Sequence, residues 1–275
     1  MNSVLVTGAA GRVGTAVTDH LEGEYSFTAL DREPAPDIES VTADITDSDA
    51  ITPAFDGQDA VVHLAGEPST EASWDAVLQN NIVGMYNCLE AARNAEVESF
   101  VFASSNHVVG MYEDEFAPDL YEPGFGLVVD HTAPPRPDSF YGTSKLFGEA
   151  MGRQYVETFE YPKRFYALRI GSVRSPRYDH PFGDAERGVD DGRYTRDSAE
   201  YDATVTRMRA TWHSRRDLAH QVDRCLRDDS VEFDIFYGVS DNPTRWFDVE
   251  HARATIGYRP KDSADDWSGP PERSG

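Results

Sequence analysis

Two side chains that could carry out proton transfer, Tyr141 and Lys145, lie four residues apart. On a helix this spacing places both on one face, about one turn from each other. A fixed ammonium group favours the ionised form of a neighbouring phenol, because it stabilises the phenolate. Such a tyrosine could exchange a proton with an alcohol or sugar hydroxyl near neutral pH. The pair also occurs by chance in helices, so its meaning depends on a hydride acceptor and a third polar group elsewhere in the chain.

A dense group of hydrogen-bonding side chains follows an apolar run at residues 100–103 and consists of Ser104, Ser105, Asn106 and His107. The run is typical of a buried strand, and open α/β sheets bind ligands at the carboxyl ends of their strands. A single serine after a strand is usually a helix cap. Four polar residues together favour a ligand-binding edge.

Glycines near the start of the chain indicate the hydride acceptor. A short run rich in β-branched side chains precedes Gly8, Gly11 and Gly14, and a helical pattern follows them. In such a strand–turn–helix unit, the first glycine permits the tight turn and the second lets the backbone approach a pyrophosphate. The third lets the helix pack closely on the strand. The helix amino terminus then faces the anion. We therefore predict a dinucleotide site that includes Arg12 and Val13.

A carboxylate at the end of the second predicted strand indicates which dinucleotide binds. Asp31 lies 17 residues beyond Gly14. It can accept hydrogen bonds from the adenosine ribose hydroxyls and would repel a 2′-phosphate, which favours NAD over NADP. Arg32 could stack on adenine or meet a 2′-phosphate, so NADP stays possible. At the next strand end, Asp44 beside Ile45 could touch the adenine amine, or equally could cap the helix that follows.

Three further segments are predicted to border the nicotinamide end of the cofactor. The fourth strand ends in the turn formed by Leu64, Ala65 and Gly66, and the sixth strand ends at Ile170. The long helical pattern after the fourth strand contains Asn81, which we expect to make a buried hydrogen bond near the cofactor.

These elements predict an α/β fold with a Rossmann-type, doubly wound parallel sheet and a small substrate-binding part formed by C-terminal segments. We assign residues 1–262 to one domain, with a cofactor-binding core over 1–170 and the substrate part mainly over 171–262. The polar, proline-containing residues 263–275 are predicted to form a frayed tail.

Two stretches lack a regular pattern. Residues 110–138 are rich in proline, glycine and acidic residues, so we expect an irregular excursion over the mouth of the site. Residues 173–210 carry many arginines among carboxylates and predict a salt-bridged surface loop. One or two of these arginines could clamp a carboxylate or phosphate of the substrate.

The charge balance excludes two classes of partner. The 275 residues include 49 acidic and 25 basic side chains, a formal net charge of −24. Lys145, Lys163 and Lys261 are the lysines, so 25 − 3 leaves 22 arginines. Such a chain repels nucleic acid and anionic membrane surfaces. Acidic excess with scarce lysine favours the cytoplasm of a salt-loving microbe, where high salt screens the repulsion.

No apolar run approaches the roughly 20 residues needed to cross a bilayer, and the opening apolar run is too short for a secretory core. Cys88 and Cys225 have no metal-ligand spacing and give no disulfide framework. We therefore expect a reduced cytoplasmic protein without a metal site or a membrane partner.

The motifs resemble those of the extended short-chain dehydrogenase/reductase superfamily, the NAD-dependent epimerase/dehydratase group. The resemblance rests on residues 7–14, 63–66 and 141–145. A narrower similarity to uronate dehydrogenase and to haloarchaeal sugar and sugar-phosphate dehydrogenases rests on residues 102–107, 168–172 and 238–242, and on an arginine five residues before Trp212.

The resemblance implies oxidation of a cyclic aldose, uronate or sugar phosphate at its anomeric carbon to a lactone, with NAD or NADP as the acceptor. By the same resemblance, Tyr141 is the base, Lys145 lowers its pKa and holds the nicotinamide ribose, and Ser105 binds the reacting hydroxyl. Pro68 stands where the family has a sugar-contacting serine, and Ser69 follows it. A homo-oligomer, a dimer or larger, is also implied. The implied sugar contacts are Ser69, Ser105, Asn106, His107, Tyr141, Ser172 and Arg207, the last binding an anionic group.

Two alternatives remain at this point. A nucleotide-sugar epimerase or dehydratase would need room for a nucleotide diphosphate, which the short C-terminal part does not favour. A non-catalytic, NAD-binding regulator would not need Tyr141 and Lys145, which are both intact.

Overall fold

The computed structural model describes residues 2–35, 38–122 and 124–272, and shows a seven-stranded sheet. The strands lie in the order β3-β2-β1-β4-β5-β6-β7, and each neighbouring pair is parallel. The order reverses between β1 and β4, where doubly wound sheets bind their ligands. The predicted Rossmann-type α/β fold is confirmed. The strands are β1 Ser3–Thr7, β2 Ser26–Asp31, β3 Glu39–Thr42, β4 Ala60–His63, β5 Ser99–Ser105, β6 Arg164–Ile170 and β7 Phe233–Gly238.

Helices cover both faces of the sheet. The apolar side chains of α1, α9 and α10 pack on one face, and those of α2, α4 and α6 pack on the other. With helices on both sides, β4 and β5 are buried at every position, which explains their nearly continuous apolar runs. The α-helices are α1 Arg12–His20, α2 Ser48–Ile51, α3 Trp74–Val77, α4 Gly84–Asn94, α5 Gly110–Phe116, α6 Phe140–Thr158, α7 Gly183–Asp190, α8 Ala199–Thr211, α9 Arg215–Arg227 and α10 Glu250–Thr255.

Both stretches that were predicted to be irregular contain helices. Helix α5 lies in the first stretch, and α7 and α8 lie in the second, where they pack against each other. Ala185, Tyr201 and Met208 are buried there, and Arg196 pairs with Glu186 at 2.5 Å. Helices α7 and α8 thus pack through a narrow apolar stripe and ion pairs. They lack the wide apolar face by which an amphipathic helix is recognised in a sequence.

The predicted frayed tail is ordered at its start. The backbone N–H of Ala264 donates to Oδ1 of Asn242 at 3.1 Å, and the Trp267 ring stacks on His180 at 5.3 Å. Ala264 is buried. These contacts hold residues 263–267 against the body, while residues 273–275 lie outside the described part of the chain.

The search for membrane spans over the described residues finds no helix with the length and apolar character that crossing a membrane requires.

Candidate active site

A cleft of about 910 Å³ opens at the carboxyl ends of the strands, across the point where the strand order reverses. Its volume lies in the range of roughly 300–1,000 Å³ that is usual for ligand pockets. Every residue predicted from the sequence to bind cofactor or substrate lines this cleft, with the exception of Asn81. The lining residues among them are Gly8, Gly11, Arg12, Val13, Gly14, Asp31, Arg32, Asp44, Ile45, Leu64, Ala65, Gly66, Ser69, Ser105, Asn106, His107, Tyr141, Lys145, Ile170, Ser172 and Arg207.

The glycine turn between β1 and α1 fits a dinucleotide pyrophosphate. Gly8 has a φ of 72°, and a Cβ there would lie 2.7 Å from the backbone nitrogen of Ala65. A Cβ at Gly14 would lie 2.4 Å from the carbonyl oxygen of Ala9, so a larger residue would push α1 away from the turn. Gly11 precedes α1 without a side-chain cap. The first N–H groups of α1 therefore remain available to an anion in the cleft.

Asp31 joins β2 to the glycine turn. Its Oδ2 accepts a hydrogen bond from the backbone N–H of Ala10 at 3.0 Å, and Oδ1 accepts from the N–H of Arg32 at 2.7 Å. Each carboxylate oxygen has further lone pairs, so both can still accept from ribose hydroxyls. This arrangement fits the adenosine end of NAD, as predicted.

Asp44 does not cap the helix after β3. Asp47 caps α2, because its side chain accepts from the N–H of Ala50 at 3.1 Å. Asp44 instead accepts from the N–H and the hydroxyl of Thr46, and the backbone hydrogen bond contributes most to lowering the pKa of the Asp44 carboxyl. The capping role considered for Asp44 is therefore wrong, and its contact with the adenine amine stays a prediction for a side chain that lines the cleft.

Asn81 supports the cleft from behind and does not line it. It lies in a π-helical turn, Leu78–Val83, between α3 and α4. Its Oδ1 accepts from the N–H of Glu67 at 2.7 Å, and its Nδ2 donates to the Glu67 carbonyl and to Oγ of Ser144 at 2.9 Å. The predicted buried hydrogen bond is present, but it ties the loop after β4 to α6 instead of binding the cofactor directly.

Ser105, Tyr141 and Lys145 meet at the centre of the cleft. Ser105 ends β5, while Tyr141 lies in the first turn of α6, where Ser139 accepts from the N–H of Gly142 at 3.0 Å. Nζ of Lys145 lies 5.6 Å from the centre of the Tyr141 ring. The catalytic residues predicted from the sequence are therefore neighbours in space.

The pKa values in this group differ from the expectation. Burial raises the pKa of the Tyr141 phenol, against the lowering effect of its hydrogen bond with Ser105. Burial lowers the pKa of Lys145 to about 8. In the protein alone, desolvation of the phenol outweighs the effect of its neighbours, so the lowering of the Tyr141 pKa by Lys145 stays a prediction.

His107 is oriented by Asp138, which the sequence analysis missed. Nδ1 of His107 lies 2.5 Å from Oδ2 of Asp138, and the imidazole meets the Tyr141 ring edge-on at 5.8 Å. Burial favours a higher pKa for Asp138, but the hydrogen bond and charge of His107 and the hydrogen bond of Ser139 together outweigh this effect, and the pKa is lowered. The ionised carboxylate keeps a proton on Nδ1 and leaves Nε2 for a ligand.

Two of the arginines that line the cleft, Arg174 and Arg207, are each held by a carboxylate. Nε and Nη2 of Arg207 donate to the two oxygens of Glu113 at 2.7 and 3.0 Å. Arg174 pairs with Asp184 in the same two-bond manner, and its Nη1 donates to the Val173 carbonyl at 2.8 Å. Both arginines line the cleft, whereas Glu113 and Asp184 do not. The carboxylates thus fix the orientation of guanidinium groups that the cleft can use.

The remaining predicted sugar contacts lie around these groups. Ser172 is buried and its hydroxyl is 2.9 Å from that of Thr211, while Asn106 is also buried. Ser69 lies at the exposed rim, where its Oγ accepts from the N–H of Glu71 at 3.1 Å. Ser172 and Asn106 therefore form the floor of this part of the cleft, and Ser69 forms its edge.

A buried ion pair supports helix α6, and no pattern in the sequence indicated it. Nε and Nη2 of Arg169, on β6, each donate to Glu149, on α6, at 2.9 Å. Glu149 also accepts from the hydroxyl of Ser104 at 2.5 Å, and Arg169 donates to the Tyr237 hydroxyl at 3.0 Å. Glu149 lies eight residues after Tyr141 on the same helix. The network therefore joins α6 to β5, β6 and β7 directly beneath the reacting groups.

The chain is similar to a known protein family and to several sugar dehydrogenases. A model of the NAD dependent epimerase/dehydratase family matches residues 4–223. An NAD-dependent glucose-6-phosphate dehydrogenase of Haloferax volcanii is 38% identical over 96% of this chain and 95% of that protein. A uronate dehydrogenase of Pseudomonas putida is 34% identical over 96% of this chain and 85% of that protein.

Two solved structures that superpose on this chain are also sugar-acid dehydrogenases. A variant of uronate dehydrogenase from Agrobacterium tumefaciens, complexed with NAD, superposes with a TM-score of 0.76 at 29% identity, covering 100% of this chain and 92% of that one. A glucuronic acid dehydrogenase from Chromohalobacter salexigens superposes with a TM-score of 0.74 at 32% identity, covering 97% and 86%.

Proposed function

The chain belongs to the NAD-dependent epimerase/dehydratase family, and from this premise we propose that it is an NAD-dependent sugar dehydrogenase that oxidises an anomeric carbon to a lactone. The observation that carries the proposal is the meeting of Ser105, Tyr141 and Lys145 in a cleft beside a glycine turn. Relatives over nearly the whole chain are dehydrogenases of sugars, which favours this activity over the epimerase alternative.

The residues of the cleft suit a bound dinucleotide. The amino end of α1 would hold the pyrophosphate, Asp31 would accept from the adenosine ribose, and Lys145 would donate to the nicotinamide ribose. Bound NAD supplies the acceptor for the hydride that leaves the sugar carbon.

Side chains of the cleft accept the proton that the substrate hydroxyl releases. Tyr141 takes the proton of the anomeric hydroxyl as the carbon–oxygen double bond of the lactone forms. Ser105 donates a hydrogen bond that lowers the pKa of the phenol, and Lys145 keeps a positive charge nearby while the pH is below about 8. His107, held by Asp138, orients the sugar with Asn106.

The substrate is proposed to be an aldose phosphate. Arg174 and Arg207 present two guanidinium groups to the cleft, and paired guanidinium groups suit a phosphate with several acceptor oxygens. The Haloferax relative at 38% identity is named for a sugar phosphate. Uronates and free aldoses, the substrates named for the other relatives, are the competing possibilities.

A panel of sugars tests both the proposed dehydrogenase activity and the proposed preference for a phosphate group on the substrate. We expect NADH formation with an aldose phosphate at a higher kcat/KM than with free aldoses or uronates. Arg207→Met should raise the KM for the phosphate by about 10- to 100-fold, because it removes a charged hydrogen bond worth roughly 1.5–3 kcal/mol, and should affect a free aldose less.

Arg209→Met is the matched control, since Arg209 lies on the same helix and pairs with Asp265. Absence of NADH with every sugar would refute the dehydrogenase. An equal effect of Arg207→Met on charged and neutral sugars would refute the anion role alone.

Asp31→Asn should shift the cofactor preference towards NADP. The substitution removes a charge that repels a 2′-phosphate, and the amide oxygen can still accept from the N–H of Ala10, although the hydrogen bond from the N–H of Arg32 is lost. Two charges at about 4 Å interact by roughly 1–4 kcal/mol near a protein surface, so the ratio of kcat/KM for NADP to that for NAD should rise tenfold or more. Glu33→Gln, which removes a charge from the rim of the same cleft, is the control. An unchanged ratio for Asp31→Asn would contradict the assignment.

We also propose a salt-adapted cytoplasmic enzyme that forms a homodimer or a larger assembly. The net charge of −24 and the Haloferax relatives support the first part. Exposed aromatic side chains on α3, α4 and α6, namely Trp74, Tyr86, Phe140 and Phe147, support the second. Light scattering over a KCl series tests both, because a monomer that stays folded in dilute buffer would contradict them.

A further inference from the structure

Three potential metal ligands from separate parts of the chain meet at the edge of the sheet. His131 lies in the loop after Val129, Asp234 lies on β7, and His251 lies on α10. Nε2 of His251 is 2.9 Å from both oxygens of Asp234. The rings of His131 and His251 stack with centroids 3.7 Å apart. One ligand atom from each residue lies within 4.8 Å of the other two.

This cluster is separate from the dinucleotide cleft. Asp234 pairs in register with Tyr166 near the start of β6, whereas the cleft residue Ile170 pairs with Gly238 at the far end. Four residues of strand span about 13 Å, and none of the three ligands lines the cleft. Binding of an ion at this edge would therefore leave the catalytic groups untouched.

The surroundings leave the cluster open to an ion. Nδ1 of His131 is shielded from water and has no hydrogen-bond partner, so no hydrogen bond competes with an ion for this nitrogen. The side chains of Asp234 and His251 are 19% and 24% exposed, which leaves access for an ion and for water.

We propose that His131, Asp234 and His251 bind a divalent transition-metal ion, for which Zn²⁺ is the best match. Two imidazole nitrogens and one carboxylate oxygen suit Zn²⁺, whereas Mg²⁺ and Ca²⁺ prefer oxygen ligands alone. Three protein ligands leave a fourth, tetrahedral position for water. The imidazoles distinguish this site from the many carboxylates of the surface, which bind hard cations weakly.

Occupation by an ion requires a small rearrangement of the three side chains. Ligand atoms of a tetrahedral zinc site lie about 3.3 Å apart when the bonds are near 2.0 Å, so the two rings must rotate out of their stack. The loop position of His131 permits this rotation. The Nε2 atom of His251 must also turn from its hydrogen bond with Asp234 towards the ion.

Zinc titration of the whole protein tests the proposal. Protein treated with EDTA and transferred to KCl buffer is titrated with ZnCl₂ against a chromophoric chelator. We expect one equivalent of tightly bound Zn²⁺ and a rise in Tm, because the ion binds the folded state. His131→Ala and His251→Ala should each weaken binding at least tenfold and leave dehydrogenase activity unchanged. His20→Ala, at an exposed histidine of α1, should leave the affinity intact.

A second measurement on the unaltered protein avoids dependence on the variants. Zinc should protect His131 and His251 from modification by diethyl pyrocarbonate, as read by mass spectrometry, while exposed His20 remains reactive. Zinc binding that does not saturate at one equivalent, that survives His131→Ala, or that leaves both histidines unprotected would overturn the proposal.

Discussion

Replacing Tyr141 with phenylalanine should lower kcat/KM by about 10²- to 10⁴-fold, the usual contribution of a positioned acid or base. The substitution removes only the phenol oxygen, so the ring still meets His107 edge-on and α6 keeps its place. The affinity for NAD should change little, because the glycine turn and Asp31 are untouched. Initial rates of NADH formation and a separate measurement of NAD binding distinguish the two effects.

Tyr155→Phe is the matched control for this substitution. Tyr155 lies on the same helix, and its hydroxyl bonds Glu90 far from the cleft. We expect a modest loss of stability from that variant and a nearly normal rate. If Tyr141→Phe retained most of its turnover, Tyr141 would not be the base, and the proposed reaction would need another proton acceptor.

The pH profile gives an independent check on the same residue. A base works when it is ionised, so kcat/KM should rise with pH as the phenol loses its proton. Burial raises the pKa of Tyr141, which places this rise on the alkaline side of neutrality. Burial also lowers the pKa of Lys145 to about 8, so the positive charge of Lys145 is lost at a lower pH than the proton of the phenol. The rising limb should be absent from Tyr141→Phe.

The cofactor half of the site could be predicted from the sequence because local geometry determines it. Gly14 is needed by close backbone contacts within one strand–turn–helix unit, and Gly8 is needed by its positive φ in the turn. Asp31 ends the next strand, and parallel strands bring their carboxyl ends together. The glycine motif and the spacing from Gly14 to Asp31 are both short, so the sequence pattern alone predicts which residues lie together.

The supporting groups could not be predicted because their contacts join distant segments. Glu113 and Arg207 are separated by 94 residues, and His107 and Asp138 by 31. Charge alone did not identify them, since carboxylates and arginines are abundant throughout this chain. The ligands of the proposed zinc site have the same character, because no short spacing relates His131 to Asp234.

The helices of the second half were missed for a related reason. Helices α7 and α8 bury few apolar side chains and rely on ion pairs such as Arg196 with Glu186. Alternating charges along a sequence are typical of both an exposed loop and a salt-bridged helix. The pairing that distinguishes them is visible only in three dimensions, and it brings Arg174 and Arg207 to the cleft.

Arg169→Met should destabilise the protein by about 3–5 kcal/mol, since it leaves the buried carboxylate of Glu149 without its partner. Arg169 and Glu149 are both nearly inaccessible to solvent, at 1% and 3% side-chain exposure. Urea unfolding in the working KCl concentration measures this loss. Lys163→Met is the control, because Lys163 pairs with Glu98 at 2.9 Å on the exposed surface just before β6, and such pairs contribute at most about 1 kcal/mol.

A double replacement separates the effect of an orphaned charge from that of lost packing. Arg169→Met combined with Glu149→Leu removes both charges, so most of the stability should return, because apolar replacements of buried pairs are often neutral or stabilising. Activity should recover less than stability, since Glu149 also accepts a hydrogen bond from Ser104, the neighbour of Ser105, which is proposed to bind the reacting hydroxyl. If Arg169→Met were within about 1 kcal/mol of the unaltered protein, the buried pair would not hold the catalytic helix in place. Recovery of stability without recovery of kcat would instead identify Glu149 as a positioning residue for the reacting groups.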